Sequence, residues 1–329
     1  MFSSILGNET AKTTLTRLLA EKTLPQALLF SGPEGVGKSL FARTVACALM
    51  GPKAAARVES GNHPDLHQLY PEGKALLHPI ESIRALIEQA SYPPFEAPVK
   101  VFILHEAHRM LSTSSNALLK ILEEPQADTY FFLLTSQADA LLATLTSRLR
   151  KISFLPLPDQ EIERFVQEKW HKDPQEARRI ALFAQGSLAR ASRFAEQEEE
   201  DLQELFTLSL PEEYGRLLTL CSSIEKRYSA SEEEEGKPVD DLLEKIFAWQ
   251  RDLLLIKHGI DARHLIHVKA KRLLEERAQE ELPSLEEGLQ RLLLMRSGLE
   301  RHIPLRILLE TLFYHRNLPD QLSLVRSVE

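Results

Sequence analysis

Residues 32 to 39 read Gly32-Pro33-Glu34-Gly35-Val36-Gly37-Lys38-Ser39, the G-x-x-x-x-G-K-[ST] spacing that cradles phosphate. The residue types suit that chemistry. Gly32, Gly35 and Gly37 let the chain bend tightly and turn backbone N–H groups inward onto phosphate oxygens. Lys38 brings a positive charge toward the outer phosphates. The Ser39 hydroxyl can ligate Mg²⁺, and a helix starting there favours an anion at its N-terminus. The alternative is an ordinary glycine-rich turn before a helix, and the flanking residues argue against it. Ala27-Leu28-Leu29-Phe30 reads as a buried strand, and Leu40, Phe41, Val45 and Leu49 are apolar positions compatible with a helix. This strand–loop–helix context turns a pattern into a site.

Phosphoryl transfer also needs acids at the end of a neighbouring strand, one orienting Mg²⁺ through its waters and one polarising the attacking water. Val101-Phe102-Ile103-Leu104 reads as that strand, and His105-Glu106 emerge from its end. His105 stands where the metal-orienting carboxylate belongs, and imidazole is a poor partner for Mg²⁺. Glu106 occupies the position of the water activator. Two readings of His105 stay open, a degraded site and a functional substitute. His105 and His108 have no further flanking ligands, which argues against zinc. The next strand ends in Thr135-Ser136. Those hydroxyls either face a γ-phosphate, with Thr135 the candidate, or only form a turn. Arg148, in Thr146-Ser147-Arg148, precedes the last strand. It is either a surface arginine or a partner for phosphate on a neighbouring subunit.

Positioning these groups requires alternating strands and helices. Strands are expected at 27–31, 66–70, 99–104, 130–135 and 151–155, and helices at 9–21, 38–50, 79–90, 112–124 and 138–146. Such alternation implies an α/β fold, a parallel sheet with helices on both faces. Leu155-Pro156-Leu157-Pro158 ends it, because alternate prolines continue neither a helix nor a central strand. Beyond lie helical segments at 159–169 and 173–185, then a helix opened by Gly186-Ser187. From 203 onward the pattern is helical throughout. Leu242, Leu243, Ile246, Phe247, Leu253, Leu254 and Ile256 form one apolar stripe, and Leu305, Leu308, Leu309, Leu312 and Phe313 another. The acidic cluster from Glu196 to Asp201 reads as a solvated helix face. The stretch from Ser229 to Gly236 reads as a flexible loop.

A chain of 329 residues has room for two or three domains. Its net charge of −8 argues against an autonomous nucleic-acid binder, though not against a local basic surface within an assembly. Cys47 and Cys221 lie far apart, which makes a reducing, cytoplasmic setting the expectation. No signal peptide is read at the N-terminus, and no apolar run reaches the ~20 residues that span a bilayer.

Several segments together resemble the bacterial clamp-loader ATPases of the AAA+ superfamily. They are Ile5-Leu6-Gly7-Asn8, the phosphate loop, Gly61-Asn62-His63-Pro64-Asp65-Leu66, Asn116-Ala117-Leu118-Leu119-Lys120-Ile121-Leu122-Glu123-Glu124-Pro125, and Thr146-Ser147-Arg148. The match spans about the first 190 residues. It implies an AAA+ nucleotide-binding domain at 1–157, a helical lid at 158–204 and an all-α collar for oligomerisation at 205–329. It further implies a place in a five-subunit ring of DNA polymerase III that loads the sliding clamp onto primed DNA. The implied partners are motor (gamma/tau-type) and delta subunits, with no membrane involved. Mg-ATP is a possible ligand at Gly32, Gly35, Gly37, Lys38, Ser39 and Thr135, bound weakly or without hydrolysis.

Three departures separate the chain from the family's motor subunits. His105 replaces the acid. The lid arginine position holds Ala189, and Arg190 is displaced by one residue, about 100° around a helix. The length also leaves no room for the longer motor's C-terminal extension. Weak or absent hydrolysis is expected, with Glu106 as the residual water activator and Arg148 acting as a finger on a neighbour. The family's four-cysteine zinc module is represented only by Cys47, so no zinc is expected, and residues 51–60 read as a trimmed surface connection. The alternative is a catalytically active AAA+ ATPase, either a motor-type loader subunit or a related remodeller. A P-loop kinase or GTPase is disfavoured, since the chain has no Asn-Lys-x-Asp segment.

Overall fold

The computed structural model describes residues 1–2, 5–73, 76–196, 214–230, 238–261, 264–279, 284–301 and 303–314. They fall into two compact units, Met1–Glu196 and Gln197–Glu329.

The first unit is built on five parallel strands: β1 (Ala27–Ser31), β2 (Leu66–Leu69), β3 (Lys100–Leu104), β4 (Thr129–Thr135) and β5 (Arg150–Ser153). Their order across the sheet is β2-β3-β4-β1-β5. The apolar runs of β1 and β3 are buried along their whole length, as expected where helices cover both faces. Successive side chains alternate between those faces. Leu28, Phe30, Ile103, Phe132 and Ile152 point to one side, packing with residues of α1 (Glu9–Ala20), α2 (Lys38–Met50) and α3 (Ala55–Glu59). Leu29, Phe102, Leu104, Phe131 and Leu133 point to the other, packing with α4 (Ile80–Ala90), α5 (Ser112–Glu123) and α6 (Ala143–Thr146). Burying each such large side chain contributes roughly 1.5–3 kcal/mol.

Two expectations need correction. Residues 51–60 are not a mere surface connection, because α3 forms within them and buries Val58 completely. The helix read over 138–146 is broken. A 3₁₀ turn at Ala138–Ala140 gives way to extended backbone at Leu141 and Leu142, before α6 begins. Burial of Leu141 against the core accounts for the break better than helix propensity does.

The proline-bearing stretch 155–158 is tied down on both sides. The Leu155 N–H donates to Asn8 Oδ1 (2.8 Å), and the Leu157 N–H donates to the Gly186 carbonyl (2.9 Å). Three helices follow: α7 (Asp159–Trp170), α8 (Pro174–Ala184) and α9 (Leu188–Glu196). The start of α8 is set by Pro174 in its first turn and by the Asp173 carboxylate, which accepts from the Gln175 and Glu176 N–H groups.

The second unit is helical, as expected: α10 (Tyr214–Ala230), α11 (Pro238–Lys257), α12 (Lys271–Arg277), α13 (Leu285–Glu300) and α14 (Leu305–Tyr314). Both apolar stripes supply its core. Leu242, Ile246, Trp249 and Leu253 of α11 join Leu305, Leu309 and Leu312 of α14, with Leu217 and Cys221 of α10. Most of both acidic stretches (196–201 and 229–236) lies outside what the structure describes. Among the described residues no helix is long and apolar enough to cross a membrane.

Candidate nucleotide site

The phosphate loop leaves the C-terminal end of β1. Gly32 is required there by space, since a Cβ would sit 2.3 Å from the Phe154 carbonyl oxygen. Gly35 and Gly37 adopt φ of +75° and +99°, which side-chain-bearing residues avoid. Helix α2 begins at Lys38, so its first N–H groups face the loop. The Lys38 ammonium donates to the carbonyls of Gly32 (2.7 Å) and Pro33 (2.6 Å). Burial pulls its pKa down to about 8, against the opposing charges of Glu34 and Glu106. It is a partly desolvated cation that still carries its charge at pH 7. Ser39 follows in the first turn, half-buried.

The structure also brings the first turn of α9 to this loop. The Ala189 N–H donates to the Gly35 carbonyl (3.3 Å), and a Cβ on Gly35 would meet Ser187 Oγ at 2.0 Å. Arg190 turns the other way, with its guanidinium on the Phe183 carbonyl (2.9 Å).

At the end of β3 the chemistry changes. His105 is nearly buried, at 8% exposure. Its Nε2 lies 3.2 Å from Gln68 Oε1, and its ring stacks on Tyr70 with centroids 4.1 Å apart. Burial first, then the Arg43 charge, lowers its pKa to about 4, so the ring is neutral at pH 7. His78, fully buried, donates from Nε2 to the His105 carbonyl (2.7 Å). Glu106 takes a left-handed backbone conformation, φ +46°, and its exposed carboxylate pairs with Arg109. Thr135, at the end of β4, is 1% exposed. Its Oγ1 accepts from the Gln137 N–H (3.0 Å) and lies 3.2 Å from His108 Nδ1. The hydroxyl thus takes part in the turn after β4.

Arg148 lies beyond α6, just before β5. Its Nε donates to Glu123 Oε1 (2.5 Å), and its Nη1 donates to the Thr144 carbonyl (2.6 Å). Its Nη2 pairs with the same Glu123 carboxylate. Sequence reasoning placed Glu123 in a motif without giving it this task, and a partner 25 residues away in the chain carries no local signal. Asp65, in the Gly61–Leu66 motif, likewise has a task that only the fold reveals. Fully buried, its carboxylate accepts the N–H groups of Phe95 (2.5 Å), Glu96 (2.9 Å) and Ala97 (2.9 Å), fixing the loop that leads into β3. Among the described residues no group of three His, Cys, Asp or Glu side chains is placed to hold a metal ion.

A five-stranded parallel sheet in the order β2-β3-β4-β1-β5, with the phosphate loop after β1, defines a P-loop nucleotide-binding domain of the AAA+ type. Residues 7–158 match the family described as DNA polymerase III, delta subunit. The DNA polymerase III subunit delta′ of Bacillus subtilis is 35% identical over 189 residues, covering 53% of this chain and 56% of that protein. The tau subunit of Escherichia coli DNA polymerase III is 29% identical over 212 residues, covering 60% of this chain and 32% of that protein. The chain thus spans about half the length of the first relative and about a third of the second. A solved DNA polymerase III gamma subunit-related protein of Thermotoga maritima aligns over 85% of this chain and 97% of its own, at 21% identity and a TM-score of 0.41. At that level the fold assignment rests on the strand order and the loop instead. Residues 7–158 are thus similar to subunits of the DNA polymerase III clamp loader.

Proposed function

We propose that this chain is a clamp-loader subunit of the delta-prime kind, a non-motor member of the ring that loads the sliding clamp onto primed DNA. The observation that carries this reading is an intact phosphate loop paired with a buried, neutral histidine in the acid's place, within a segment matching a delta′ subunit. Its partners are motor (gamma/tau-type) and delta subunits, the clamp, and DNA contacted inside the assembly. Its setting is the cytoplasm. Residues 1–157 serve as the nucleotide domain, 158–204 as a lid, and 205–329 as the collar that joins the ring. Arg109 and the start of α5, at Ser112 and Thr113, would touch DNA phosphate.

A nucleotide would be held by the loop N–H groups, Lys38 and Ser39, with Thr135 nearby, and it would supply a phosphate anion to a desolvated lysine. Glu106 is the residual water activator, but its carboxylate is engaged by Arg109. Slow or absent turnover follows. Arg148 acts in trans: its planar guanidinium suits phosphate oxygens, and Glu123 holds it at the edge of the domain. No zinc is expected.

The test is purification of the tagged full-length chain from its own cells, with identification of what accompanies it. Recovery of the motor subunit and the clamp is the expected result. A chain recovered alone, or with unrelated partners, overturns the reading.

A further inference from the structure

A P-loop site that works through Mg²⁺ surrounds the metal with oxygen, from the loop hydroxyl, the phosphates and waters held by an acid. Only part of that set is present here. Ser39 keeps the hydroxyl. At the acid position His105 turns Nε2 to Gln68 and lays its ring on Tyr70. Glu106 pairs with Arg109, and Glu34 is exposed on the loop. The phosphate-facing residues fit an anion, whereas the metal-facing residues do not fit Mg²⁺.

What stands near His105 instead is a cation. Arg43 lies one helical turn after Ser39, on the same face of α2. Side chains on a helix lean toward its N-terminus, here toward the phosphate loop. The Arg43 charge acts on His105. Its Nε is buried without a hydrogen-bond partner among the described residues. Such a donor carries a free-energy cost unless something pairs with it. An anion would do so, whereas a divalent cation beside a guanidinium would be repelled.

We infer that this phosphate loop takes the phosphates of a nucleotide without a divalent cation, with Arg43 supplying charge that the metal would otherwise bring. The inference rests on the proposal that the loop binds nucleotide, and it adds the manner of binding. Lys38 from the loop and Arg43 from the next turn of α2 then both bring positive charge to the phosphates. Binding of this kind gives an occupied site with no metal-oriented water, a structural ligand rather than a fuel.

The test is a titration of the purified full-length chain with fluorescently labelled ATP, once in excess EDTA and once with Mg²⁺. The expected dissociation constants agree within about twofold. Arg43→Ala is expected to weaken binding in EDTA about tenfold, roughly the loss of one charge-assisted hydrogen bond. His105→Asp, which returns the acid, is expected to make binding tighter with Mg²⁺ than without it. Binding that appears only with Mg²⁺ overturns the inference. So does no saturable binding in either buffer, or an Arg43→Ala variant of native circular dichroism that binds like the wild type. None of these results bears on the recovery of motor subunit and clamp, which tests the clamp-loader proposal separately.

Discussion

The phosphate loop and the end of β3 are neighbouring parts of one sheet, yet they keep different amounts of the chemistry a P-loop ATPase needs. In the loop, backbone geometry fixes every residue that matters. Gly32 has no room for a side chain, Gly35 and Gly37 have the wrong φ for one, and Lys38 is desolvated at the helix start. At the end of β3, where a P-loop ATPase needs a carboxylate, this chain has a histidine inside a packed cluster of Gln68, Tyr70 and His78. A binding cradle built from backbone survives as long as the fold does, whereas a catalytic acid is one side chain and can be lost alone. The proposed finger, Arg148, is a third case: its guanidinium is held by Glu123 and the Thr144 carbonyl.

The largest effect belongs to that edge. Arg148→Ala is expected to slow hydrolysis at the neighbouring subunit's site by ~10³, about 4 kcal/mol, and to lower DNA-stimulated clamp loading. Ring assembly should stay intact. The check is ATPase and loading by rings reconstituted with the variant, beside size-exclusion profiles. Wild-type rates would make Arg148 an ordinary surface residue.

Next comes the loop. Gly32→Ala should cost about 3 kcal/mol or more in denaturant unfolding, because the new methyl meets a backbone oxygen that cannot step aside. Gly37→Ala meets only Phe41, at 3.9 Å, and should cost roughly 1 kcal/mol, for its φ alone. Equal costs would mean that space does not decide the Gly32 position.

The acid end gives a smaller effect, with a defined pH window. The folded pKa of His105, about 4, lies below the ordinary value of 6.5. Between those values the unfolded chain binds the extra proton. Stability is therefore full above pH 6.5 and falls as pH drops toward 4, by roughly 3 kcal/mol from this residue. His63, His67, His78 and His108 are also lowered, chiefly by burial, so the wild-type slope alone is not diagnostic. Unfolding measured across pH 4–7 should show a shallower fall for His105→Gln than for the wild type. An identical fall would remove His105 from the buried, neutral state described here.

The smallest expected change is the control. Arg150 carries the same charge as Arg148, opens β5 and is exposed. Two residues along an extended chain is about 6–7 Å. Arg150→Ala should alter ring ATPase less than twofold, a difference under ~0.5 kcal/mol. A loss matching that of Arg148→Ala would show that general positive charge, not a positioned finger, is at work.

The loop and the strands were legible in the sequence because each is dictated locally, by glycine or by apolar runs. The five strands fall where the apolar runs put them, with ends shifted by a residue or two. The short α3 was hidden because one turn of helix has almost no periodicity, and its reason is the burial of Val58. The break at Leu141 was hidden because the tertiary core decides it. The histidine at the end of β3 could be read from residue type alone. Its neighbours could not, since Gln68 and Tyr70 lie on another segment and meet His105 only through the sheet. Glu123 was visible as part of a motif, and only the fold assigns it to Arg148.

The central claim is that this chain keeps a phosphate cradle and has lost its own catalysis. Steady-state ATP hydrolysis by the purified chain, in the absence of other subunits, tests it most directly. The account predicts turnover far below ~1 s⁻¹, unchanged by Glu106→Gln. Turnover near ~1 s⁻¹ that disappears in Lys38→Ala would contradict it, and would mark the chain as a working motor despite His105.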